Sequence, residues 1–175
     1  MPIFKVASAL LVAGFVGTQP VTSAVSELDR DEKLIIETVL ADSRLIDQLQ
    51  IRGTALVRPE TEWFPQRWSR DDRSENRPGI PQELFDAANR RNTAPASLRA
   101  VVLPRALVLE ASASAAIEKM ITVSRPGVSL DRRRAIVAIA SYDHRTREAD
   151  RGYLVHLAND DGKWHIVQRG PFWIA

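Results

Sequence analysis

The chain has 175 residues, 24 Lys and Arg against 22 Asp and Glu, 45% hydrophobic residues and no cysteine. That length fits one domain behind a short leader, and the missing cysteines exclude disulfides and thiolate zinc sites. The isoelectric point near 9.3 overstates the charge. All but four of the basic residues are arginine, which never discharges, so a small surplus sets up no global field for nucleic acid or anionic lipid.

In chain order, the first 24 residues read as a secretory signal. Lys5 is the only charge before Glu27, Val6 to Val16 is apolar apart from Ser8 and Gly14, and small residues at Thr22 and Ala24 suit cleavage after Ala24. An uncleaved anchor is the competing reading, but a span needs roughly 20 consecutive apolar residues and this run is shorter. No cysteine follows for lipid modification. The expectation is a signal peptide over 1–24, a single domain over 25–175 with no membrane span, and a periplasmic or secreted location.

The first helix is expected over residues 26 to about 41. Asp29-x-x-Glu32 has the form of a capping box, with acids at Glu27, Asp29, Asp31 and Glu32 at the positive end of the helix dipole. Leu28, Ile35, Ile36, Val39 and Leu40 form one stripe. Either Asp42-Ser43 breaks the helix, or the stripe runs on through Leu45, Ile46 and Leu49 to Gly53. Ala55-Leu56-Val57 is a short strand closed by Pro59. Residues 59 to 81 are punctuated by Pro59, Pro65, Pro78 and Pro81 and carry the charged run 71–77, which reads as a long loop. Pro81 suits the first turn of a helix with Leu84, Phe85 and Ala88 on its apolar face. Pro95 opens a second short helix through Leu98, Val101 and Val102. Leu107-Val108-Leu109 is a strand candidate, and 111–119 a helix candidate.

The last third reads as antiparallel sheet: 121–123, 135–142, 152–157 and 164–175, with Asn159-Asp160-Asp161-Gly162 as a hairpin turn. Helices first and strands last predict an α+β fold, with the N-terminal helix and the short central helices packed on one face of a C-terminal antiparallel meander.

Ile121-Thr122-Val123-Ser124-Arg125-Pro126-Gly127-Val128, Ala135-Ile136-Val137, Gly152-Tyr153-Leu154-Val155-His156-Leu157, Gly162-Lys163-Trp164-His165-Ile166-Val167 and the closing Phe172-Trp173-Ile174-Ala175 together resemble the C-terminal meander of a family of uncharacterised bacterial exported domains. The segments 55–61 and 84–92 fit its earlier part. The resemblance covers about two thirds of the chain and carries core and turn residues. It implies the fold only, and brings no activity, cofactor or catalytic residue.

Two groups of residues could carry function. The first is Trp63, Phe64, Arg67, Trp68 and Arg70, aromatics and arginines crowded into a proline-bounded loop. Such residues are favoured at binding hot spots and would suit a protein, a peptide or a cell-wall ligand. The competing reading is a satellite core tucked under the loop. The second is His156 and His165. A hairpin loop of two or four residues at positions summing to 321 sets them opposite one another and also aligns Val155 with Ile166 and Leu157 with Trp164. A three-residue loop with Gly162 as a bulge moves His165 opposite Leu157. If the histidines pair, Asp143, Glu148 or Asp150 would have to supply a third metal ligand or an acid/base group. Two sheet-surface histidines are the plainer alternative. Arg132-Arg133-Arg134 reads as a solvated corner. Gly-x-Ser-x-Gly, a phosphate loop and a dinucleotide fingerprint are all absent from the sequence. The expected function is a non-catalytic binding or accessory module without cofactor, with a small hydrolase built on His156 and His165, or an inhibitor or immunity protein, as alternatives.

Overall fold

Asp29 starts the first helix by satisfying backbone groups that have no partner at a helix N-terminus. In the computed structural model, which describes residues 25–62, 79–109 and 116–174, its carboxylate accepts from the N–H of Glu32 at 2.8 Å, and the Glu32 carboxylate accepts from the N–H of Asp29 at 2.9 Å. This reciprocal box opens α1, Arg30–Leu40, whose buried stripe is Ile35, Ile36, Val39 and Leu40. Of the two readings for the next segment, the break is observed. The Asp42 carboxylate accepts from the N–H of Leu45 at 2.7 Å and starts α2, Ser43–Gln48. A short aspartate competes locally for backbone donors, and here that ends one helix and caps the next.

Strands β1 (Ser26–Glu27) and β3 (Ala96–Ser97) form a small parallel pair. The main sheet is built from β2 (Ala55–Val57), β4 (Leu107–Val108), β5 (Lys119–Val123), β6 (Gly127–Val128), β7 (Arg134–Asp143), β8 (Ala149–Asp160) and β9 (Lys163–Ile174). Its order is β4-β2-β5-β7-β8-β9, with β6 also on β7. From β5 onwards the strands are antiparallel, as the pattern predicts, while β2 lies parallel to both β4 and β5. Helix and sheet are thus both present and the fold is α+β.

Two expected helices differ. The segment opened by Pro95 is the short strand β3 followed by a turn at 99–100, because its backbone is claimed from several sides. Ser26 N–H donates to Pro95 O at 3.1 Å, Thr61 N–H to Ala96 O at 2.8 Å, and Leu98 N–H to Pro59 O at 2.8 Å. The Thr61 hydroxyl accepts from Ala96 N–H at 2.8 Å. The candidate helix over 111–119 falls mostly outside the described residues, and its last residues are coil running into β5.

The helices also divide between two faces of the sheet. Ala135, Val137 and Ile139 of β7 and Tyr153, Val155 and Leu157 of β8 join Trp164 and the buried stripes of α1 and α2 in the larger core. The alternate residues Ile136 and Leu154 pack with Leu84 and Ala88 of α3, Gln82–Arg91. One covered face was expected. The run Ala-Ile-Val-Ala-Ile-Ala in β7 is apolar at every position, and a strand of that kind is buried on both sides. The docking of α3 is close. A Cβ on Gly127 would meet the carbonyl of Leu84 and would come within 2.6 Å of Ala88 N and 2.8 Å of its Cβ.

The β8–β9 hairpin turns through Asp161 and Gly162 alone, at φ 51 and 85. Two positive φ values in a two-residue loop match the right-handed twist of the strands. Asp160 therefore faces Lys163, Ala158 faces His165 and Leu157 faces Ile166. A bulge at Val167 then shifts the ladder, so that His156 faces Gln168. Neither expected register occurs, and the opposed His156–His165 pair is not formed. The turn is centred one residue later than that pairing needs, and Ile166 still reaches the core by matching Leu157.

Candidate functional site

The ordering of the sheet brings two loops together at one end. The loop from β6 to β7 is held by its own side chains. The Ser129 hydroxyl lies 2.6 Å from the Asp131 carboxylate and accepts from Arg134 N–H at 3.0 Å. The same carboxylate accepts from Arg133 N–H at 3.0 Å. Arg132 takes a left-handed conformation at φ 56, which is uncommon for a side chain with a Cβ. Asn159, next to the β8–β9 turn, ties the two loops. Its backbone N–H donates to Arg133 O at 2.9 Å, and its side-chain amide donates to Arg132 O at 3.0 Å while accepting from Gly162 N–H at 2.8 Å.

Between these loops lies an open depression of about 910 Å³, whose lining includes Arg132, Arg133, Arg134, His156, Asp160 and Val167. Arg132 is paired with Asp31 at 3.2 Å. Arg133 and Arg134 are exposed and make no ion pair among the described residues. Half-buried His156 sits on β8, opposite Ile136 of β7. Burial, with a smaller contribution from the charge of Arg134, holds its pKa below the ordinary value of 6.5, so the ring is neutral near pH 7. Its buried Nε2 has no hydrogen-bond partner among the described residues. The Ser129 hydroxyl and then the Arg133 N–H hold the Asp131 carboxyl below its usual range.

His165 shares the face of His156 but stands opposite Ala158 and is exposed. Its Nδ1 lies 3.5 Å from the Asp160 carboxylate. Asp143 does not join them. It is seven residues along β7 from Ile136, the partner of His156, which is about 23 Å at 3.3 Å per residue. There it accepts from the N–H groups of Arg145 and Thr146, each at 2.9 Å, and these bonds lower its pKa. Asp150 is paired with Lys119 at 2.8 Å. The carboxylates considered as third partners for the histidines thus belong to the opposite end of the sheet. Among the described residues, no group of three or more His, Asp or Glu could hold a metal ion. Trp63, Phe64, Arg67, Trp68 and Arg70 lie outside the described residues.

A second charged cluster was not anticipated. Glu32 is fully buried. Arg125 binds it in two-point fashion through Nε at 2.9 Å and Nη2 at 3.0 Å. Arg91 reaches it at 2.9 Å and also reaches Asp29 at 2.8 Å. The remaining guanidinium nitrogen of Arg125 donates to the Ser26 hydroxyl at 3.0 Å, and its backbone N–H donates to Asn92 at 2.8 Å. Both carboxylate oxygens of Glu32 are occupied, so the cluster fastens α1, α3 and the β5–β6 connection rather than offering a lone pair to a ligand. Its one sequence signal is Glu32 itself: the capping box identifies its local partner, Asp29, but nothing marks Arg125 at a separation of 93 residues.

No family model, curated protein or solved structure matches this chain. The candidate site therefore rests on its own geometry.

Proposed function

We propose that the chain is an exported binding or accessory domain acting in the bacterial periplasm, released from a signal peptide after Ala24, and that it contacts its ligand at the end of the sheet where the β6–β7 and β8–β9 loops meet. The secretory pattern of the first 24 residues supports the location. The observation that carries the binding reading is the concave surface on which Arg133, Arg134 and the neutral ring of His156 come together, on loops already fixed by Ser129, Asp131 and Asn159. Preformed loops lower the ordering cost of binding. Arginines without carboxylate partners are available to a ligand in a way that paired ones are not. The separation of Asp143 from His156 gives no support to a hydrolase built on those residues.

The test uses the full tagged chain produced in a bacterium with two membranes. Release by osmotic shock, with Val25 as the first residue, is the expected outcome. Retention of the intact chain in the cytoplasm sinks the exported reading. Crosslinking in the envelope should give an adduct that weakens when Arg133 and Arg134 are both changed to glutamate. An adduct pattern indifferent to that change would remove this end of the sheet as the contact surface.

A further inference from the structure

We propose that Ser26 and Glu27 form a strap that, once docked, shields the Ala24–Val25 bond from a signal peptidase, so that the leader must be removed before the domain closes. This rests on the exported reading and states when the cut has to come.

The strap is fastened on two sides. β1 pairs in parallel with β3, with Ser26 beside Ala96 and Glu27 beside Ser97. The Ser26 N–H donates to Pro95 O at 3.1 Å. Its hydroxyl donates to the same oxygen at 3.3 Å and accepts from Arg125 Nη1 at 3.0 Å. The other two nitrogens of that guanidinium hold the fully buried Glu32, so the strap closes over the one buried carboxylate of the cluster. Leu28 packs against the larger core, and the Asp29 capping box follows at once. Only Val25, 44% exposed, stands between the fixed chain and the bond to Ala24.

A protease that takes its substrate as an added strand needs the backbone groups on both sides of the scissile bond. Here the second residue after that bond has its N–H committed to Pro95 and its hydroxyl committed to Arg125. The domain and the peptidase therefore compete for the same groups. Reaching the bond in the closed domain means lifting β1, which breaks the Ser26 bonds and uncovers a guanidinium engaged with a buried carboxylate. Hydrogen bonds to charged groups are the stronger ones. In the unfolded chain β3 is not assembled and the competition does not exist. The spacing is what decides. A disordered tail between cut and fold would leave the bond accessible in the folded protein, and one residue does not.

The experiment treats the full folded chain, leader included and held in detergent, with purified bacterial signal peptidase, and follows by mass spectrometry the product that begins at Val25. A second form carries a flexible Gly-Ser linker inserted between Val25 and Ser26. The insertion keeps the residues on either side of the scissile bond and leaves every residue of the strap in place. The wild type should be cut about tenfold or more slowly than the inserted form, the size expected when a charge-assisted bond has to open first. Ser26→Ala should fall between them, since it loses the hydroxyl bonds and keeps the N–H. Equal rates for the wild type and the inserted form, both shown to be folded by their melting curves, overturn the strap and leave the leader standing. If neither form is cut after Ala24, the exported reading falls and takes the strap with it.

Discussion

Two arginine clusters in this molecule have opposite fates. Around Glu32, two arginines and two carboxylates close on each other, with Ser26 and Asn92 taking further donors. At the far loops, Arg133 and Arg134 stand exposed on a fixed backbone, near Asp131 but in no ion pair among the described residues. The first cluster has spent its hydrogen-bonding capacity on holding α1, α3 and the β5–β6 connection together. The second keeps its capacity for something outside the chain. Position in the sequence does not separate the two kinds; satisfaction of the charges does.

The sharpest way to break this comparison is to remove one partner from the closed cluster. Arg125→Ala removes the two-point partner of the buried Glu32 carboxylate and leaves it Arg91 alone, and a loss of up to about 3–5 kcal/mol in urea unfolding is expected. A loss under about 1 kcal/mol, the size usual for an exposed pair, would show that the cluster is open to water and does not differ in kind from the loops. Next in size is Gly127→Ala, which presses a methyl group into Leu84 and Ala88 of α3. Overpacking of this sort costs roughly 1–3 kcal/mol, and the same unfolding measurement reads it.

A pH series gives a smaller effect at the open end. The folded pKa of His156 lies below its unfolded value near 6.5, so the unfolded chain binds the proton more readily. The neutral ring favours the fold fully above that value, and the contribution declines as pH falls below it. His156→Gln should flatten the stability profile just below pH 6.5, tracked by melting temperature against pH. Asp42, whose pKa is lowered by hydrogen bonds from Arg169 and the Leu45 N–H against the opposing effect of burial, acts at more acid pH. Its contribution is present above the ordinary value of 3.8 and is lost as pH falls through the folded value. The smallest expected effect is also the most telling. Arg133→Gln and Arg134→Gln should each change stability by less than about 0.5 kcal/mol, as surface substitutions without partners do. A larger loss would mean that these arginines serve the fold after all.

What the sequence made legible follows the range of the forces. The capping box at Asp29 and Glu32 was readable because both partners lie within one helical turn. The antiparallel strands were readable from their apolar runs and from the turn residues Asn159-Asp160-Asp161-Gly162. The hairpin register was not, since a shift of one residue in the turn and a bulge at Val167 move His156 from His165 to Gln168 while the core stays filled. The grip of Arg125 on Glu32 was also invisible, because nothing local ties residues 93 positions apart. The helix expected after Pro95 failed for the same reason: its backbone bonds go to Ser26, Pro59 and Thr61. Of the candidate site, His156 and the arginine run were noticed separately. Only the pairing of β7 with β8 sets them beside one another.

The bulge at Val167 has a bearing on solubility. It interrupts β9, twelve residues long and last in the sheet. A straight terminal strand of that length is a template on which further chains can stack and grow into fibres. The extra residue at Val167, a second break in register opposite Gly152 and Tyr153, and Pro171 with no N–H to donate leave no long regular stretch for a second chain to copy. The irregularity that separates His156 from His165 is, for the crowd of identical molecules in a cell, a guard against polymerisation.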